Sequence, residues 1–132
     1  MRTRYSRKPI AITAELEGFA LRAHLALSYL QTSPPDFPRV LELACYVESA
    51  WLGASRHFQS PPKALAPARA LLTDWLQALE GNGMAAPESV LDPATWQVLS
   101  QGVLCADGVW SRLPTPVLAE AMASVRELLA VE

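Results

Sequence analysis

A chain of 132 residues with 51% apolar side chains is long enough for one domain with a sizeable core. None of its apolar runs approaches the ~20 residues that cross a bilayer, and no apolar segment follows the basic N-terminus as a secretory signal requires. Charged residues make up 18% of the chain, below the ~25% usual for soluble domains, so a dense core or an apolar surface that meets a partner is expected.

The net charge of −2 is unevenly spread: Arg2, Arg4, Arg7 and Lys8 give the first eight residues +4, leaving −6 on the rest. A short basic arm ahead of a mildly acidic body suits contact with phosphate or an acidic protein patch. Residues 1–12 read as a flexible arm, because Pro9 and the scarcity of apolar side chains deny it a docked helix. Residues 13–132 read as one all-α domain, a compact bundle of five helices near 13–31, 37–57, 67–80, 93–107 and 116–131.

Proline placement sets those limits. Asp92-Pro93 and Thr115-Pro116 are helix starts: the side-chain oxygen caps free N–H groups, and proline in the first turn loses no hydrogen bond. The first helix opens at Thr13 and stops before Ser33-Pro34-Pro35. Leu16, Phe19, Ala20, Ala23, Leu27 and Leu30 recur at helical spacing, and Leu21, Leu25 and Tyr29 form a second apolar stripe. Two stripes predict a helix packed between neighbours at the centre of the bundle.

The second helix follows Asp36, with an apolar arc of Val40, Ala44, Val47, Trp51 and Ala54 opposite Glu42, Tyr46, Ser49, Gly53 and Arg56. The third carries Ala68, Leu71, Leu72, Trp75, Leu76 and Leu79 and ends at Gly81-Asn82-Gly83. The fourth carries Trp96, Leu99, Val103, Ala106 and Trp110, with fraying or a kink expected after Asp107 because Gly102 and Gly108 weaken it. The fifth turns Leu118, Ala121, Met122, Val125 and Leu129 inward.

Catalytic chemistry has no foothold in this pattern. The paired Glu-x-x-His units of di-iron bundles are missing, as are phosphate-binding glycine loops, and no cofactor or metal is expected. Cys45 and Cys105 lack a Cys-x-x-Cys partner and read as reduced core thiols of a cytoplasmic protein. One polar constellation stands out: Glu17 and His24 share a helix side, and Glu48 sits on the shoulder of an apolar face, where a carboxylate needs a partner. Glu17, His24 and Glu48 form the candidate buried polar cluster, with Arg22 or His24 expected to pair Glu48.

Four tryptophans are many for a core of this size. Trp51 and Trp110, with Arg56, are therefore candidate anchors for a partner protein. These features point to a non-enzymatic helical interaction module, an adaptor or inhibitor of another protein, with homo-oligomerisation as one form of it. The Ala-, Leu- and Pro-rich vocabulary is that of a bacterial, phage or plasmid accessory protein. The alternative is an accessory nucleic-acid-associated protein that touches phosphate through Arg2, Arg4, Arg7 and Lys8. Four cations neutralise few phosphates, so that contact would be weak and salt-dependent.

Overall fold

Asp36 shows how local sequence starts a helix here. Its Oδ1 accepts a hydrogen bond from the Arg39 N–H at 3.0 Å, which caps the helix Phe37–Phe58. The computed structural model describes residues 18–58, 60–79 and 89–131. The basic arm, the start of the first helix with Glu17 and the Gly81–Gly83 turn lie outside them, as does the side chain of Leu129.

Five helices and no strand are found among the described residues: α1 over 18–29, α2 Phe37–Phe58, α3 Leu65–Gln77, α4 Pro93–Arg112 and α5 Thr115–Val131. The all-α expectation holds. Among the described residues no helix is long and apolar enough to cross a membrane.

Three expectations about the helices are corrected. First, α4 neither frays nor kinks after Asp107. It runs on to Arg112 because Val109 is buried and Trp110 packs against the core, and it stops where Pro114 forces Leu113 into an extended conformation. Second, α3 starts at Leu65, two residues ahead of Pro67, which therefore sits in its first turn.

The third correction concerns which helix is central. Leu21 and Leu25 are each 60% exposed, so α1 buries only one side, through Phe19, Ala23, Ala26 and Leu27. The central helix is α2, which packs against α3, α4 and α5. Tyr46, Ser49 and Gly53, expected to face water, are fully or almost fully buried. Small side chains make this possible. A Cβ on Gly53 would lie 2.8 Å from Leu113 Cδ1, so the backbone of α2 approaches the α4–α5 corner closely enough that a larger residue would make Leu113 move. Likewise Gly102 of α4 presses against Ala68 of α3.

α1 and α4 run antiparallel. The Trp96 indole N–H, near the start of α4, donates to the Leu27 carbonyl at 2.9 Å, while Phe19 meets Trp110 edge-on near its end. The Gln31 N–H turns to Ser28 at the end of α1, which leaves the Leu27 carbonyl to the indole.

Candidate functional site

The seam between α1 and α4 gathers a group of polar and aromatic side chains from three helices. Asp107 is its hub. Its Oδ1 accepts a hydrogen bond from the buried Tyr46 hydroxyl, and the His24 Nε2 lies 2.9 Å from Oδ2 and 3.1 Å from Oδ1. Three helices therefore meet at one carboxylate. Tyr46 stacks on Trp110, and Phe19 stands edge-on to both rings.

Burial first, then the hydrogen bond and the charge of Asp107, push the Tyr46 phenol far above its ordinary range. The group stays a neutral donor under all ordinary conditions, which suits a fixed contact and not proton transfer. Burial also pushes the Cys105 thiol up, a change that weakens it as a nucleophile. No group of three or more His, Cys, Asp or Glu side chains suited to a metal ion occurs among the described residues. The arrangement fixes α1 onto the bundle.

Glu48 does not join this hub. It is about one-third exposed and pairs with Arg69 of α3, not with Arg22 or His24: the guanidinium donates from Nε at 2.7 Å and from Nη2 at 2.8 Å. The expected pairing is corrected because α3 packs on this side of α2 and brings a fork-shaped donor that matches a carboxylate. Arg22 instead meets Glu42 at 3.4 Å. His24 and Glu48 thus belong to different networks, and Glu17 lies outside the described residues.

The tryptophans are engaged within the chain. Trp75 is buried, and Trp51, Trp96 and Trp110 are half-buried against the core. Arg69 covers Trp51 with its guanidinium 4.5 Å from the ring centre, while Tyr46 and Phe19 take up Trp110. Arg56 is exposed and makes a long contact of 3.7 Å with Glu120.

Large apolar side chains do reach the surface, on the outer side of the α1–α4 seam. Leu21 and Leu25 of α1 and Leu104 of α4 are each 60% exposed. Leu21 lies one turn before His24, and Leu104 one turn before Asp107, so the two leucines bracket that pair from opposite ends of the antiparallel seam. Composition suggested such a surface, but the double apolar stripe of α1 placed Leu21 and Leu25 in the core. A small cavity of about 170 Å³ lies on the other side of α1, between Phe19, Arg22, Glu42, Ser49, Met122 and Val125. It falls below the ~300 Å³ at which ligand pockets begin. Comparison with protein-family models, curated proteins and solved structures finds no match to this chain.

Proposed function

We propose that this protein is a non-enzymatic interaction module, an adaptor or inhibitor that works by presenting the outer face of α1 and α4 to another polypeptide. One observation carries the reading: Leu21, Leu25 and Leu104 are each 60% exposed on neighbouring helices, while all four tryptophans are packed at least in part against the core. A folded domain that packs its tryptophans and shows three leucines, two of them one turn apart on α1 and the third on α4, has apolar surface in search of cover. The charges at its edge are already paired, Arg22 with Glu42 and Asp107 with His24. A partner would therefore bring an apolar, weakly charged surface, such as one side of an amphipathic helix.

Photo-crosslinking in the native host tests the reading. A photoreactive side chain at position 21 or 104 should give the same sequenced protein adduct, lost on Leu25→Asp, and one at position 63, remote in the chain on the α2–α3 connection, should not. Adducts indifferent to Leu25→Asp, or equal from all three positions, would remove this face from consideration.

A further inference from the structure

Leu41, Cys45 and Ser49 follow one another at one-turn spacing and lie on one side of α2, where α1 and α5 converge on it. They share the cavity of about 170 Å³ with Phe19 of α1 and with Met122 and Val125 of α5, all three of them buried. Ser49 is fully buried, and its hydroxyl has no hydrogen-bond partner among the described residues. A helical serine can usually turn its oxygen to the carbonyl one turn earlier; this one does not. An unpaired hydroxyl is costly to bury, so a group that enters the cavity and pairs with it gains affinity for that reason.

We infer that this cavity is a binding site for a neutral single-ring compound of the phenol class, with the Ser49 hydroxyl as its polar contact. Volume sets the size. A cavity of ~150 Å³ with apolar walls is known to take up benzene, so about 170 Å³ admits one six-membered ring and excludes larger metabolites. The walls set the character, because the Met122 thioether and the Phe19 ring both make favourable contacts with an aromatic ring. Water is a poor occupant here. It needs ~2–4 polar partners, and the buried lining around Ser49 is apolar apart from the Cys45 thiol. Charge is settled by Arg22 and Glu42, which line the same cavity as an ion pair 3.4 Å apart. Paired, they offer no free cation to an acid and no free anion to an amine. A phenol donates and accepts, as serine does, so the contact forms in either direction. The cavity lies on the other side of α1 from the exposed leucines, and the inference does not depend on the α1–α4 face.

Two-dimensional NMR of the isotope-labelled full chain, titrated with phenol and with toluene, tests it. Phenol should give saturable shifts centred on the amides of Cys45, Ser49 and Met122, with Kd on the order of millimolar or below. Ser49→Ala should weaken phenol about fivefold, the equivalent of one neutral hydrogen bond, and leave toluene unchanged or tighter. Leu41→Trp, which fills the cavity from a partly exposed position, should abolish both, with helix content by circular dichroism unchanged. Should Leu41→Trp fail to fold, Ser49→Ala decides alone. Phenol shifts that do not saturate by about 20 mM, or that centre on Leu21 and Leu104, overturn the inference. So does a Ser49→Ala chain that binds phenol as well as wild type, or that loses phenol and toluene equally.

Discussion

The ring of Tyr46 lies parallel to that of Trp110, 4° from coplanar with centroids 5.4 Å apart, and its hydroxyl reaches Asp107 on the same helix as the tryptophan. One side chain of α2 thereby holds α4 twice, by its face and by its tip. His24 then ties α1 to the same carboxylate.

Tyr46→Phe separates those two holds. The ring stack survives and the hydrogen bond to a charged acceptor is lost, at an expected cost of about 1.5–3 kcal/mol. The effect depends on alkaline pH in a definite direction. The folded-state pKa of Tyr46 is raised above the ordinary value near 10, so the folded chain holds this proton while the unfolded chain releases it. The contribution is complete below about pH 10 and declines above it. The difference in melting temperature between wild type and Tyr46→Phe should therefore be constant from about pH 7 to 9 and narrow above pH 10. A gap that widens with alkali would contradict the assigned role of the phenol.

Glu48 gives the next test. Its bidentate bond with Arg69 is about one-third exposed, so the expected loss on Glu48→Ala is about 1–2 kcal/mol, less than the ~3–5 of a fully buried pair. Arg69 also covers Trp51, so Arg69→Ala should cost more than Glu48→Ala. Glu42→Ala, which removes a 3.4 Å pair to Arg22, should cost under about 0.5 kcal/mol. Urea unfolding of the three variants would establish the order, and equal losses for Glu42 and Glu48 would contradict it.

These two sites also show what the sequence discloses. The limits of α2 and the start of α4 are legible because their signals are local: Asp36 caps its own helix, and Pro93 opens α4 although the Asp92 side chain makes no cap hydrogen bond there. The end of α4 at Arg112 is not, because Gly108 suggests a stop five residues early. The central place of α2 is not legible. Tyr46 reads as a polar-side residue until Asp107, 61 positions away, supplies its partner, and Ser49 and Gly53 register as polar or neutral although their small size is what lets neighbours close in. Leu21 and Leu25 fail in the opposite sense. Hydropathy marks them as core, but coverage depends on whether another helix arrives, and within the described chain none does. The role of Asp107 is not legible either, because a carboxylate near two glycines suggests fraying. The available signal was its place beside Ala106 and one turn from both Val103 and Trp110, on the buried shoulder of α4.

Trp96 and Trp110 offer a controlled comparison. Both are half-buried in α4, but the Trp96 indole donates to the Leu27 carbonyl, whereas the buried Trp110 Nε1 has no hydrogen-bond partner among the described residues. Each Trp→Phe change removes similar volume and keeps an aromatic ring, so the lost hydrogen bond at Trp96 is the main difference between them, set against the Trp110 stack on Tyr46. Trp96→Phe should be the more destabilising by about 1 kcal/mol. It should also loosen the end of α1, seen as faster amide exchange around residues 27–31. The reverse order would mean that the Trp96 bond contributes little.

Glycine-to-alanine changes at three helical positions should diverge in sign. At Gly102 the new methyl group meets the Cβ of Ala68, which is fixed to its backbone, so α3 and α4 must separate. Overpacking of this kind costs about 1–3 kcal/mol. At Gly53 the nearest atom is Leu113 Cδ1 at 2.8 Å, the end of a side chain that can turn away, so the loss should be smaller. At Gly108 nothing lies within 4 Å, and alanine should stabilise the isolated chain by about 0.5–1 kcal/mol through helix propensity alone. Thermal melts of the three variants against wild type would read all three. A loss at Gly108 equal to that at Gly102 would show that the outer face of α4 is already covered within one chain.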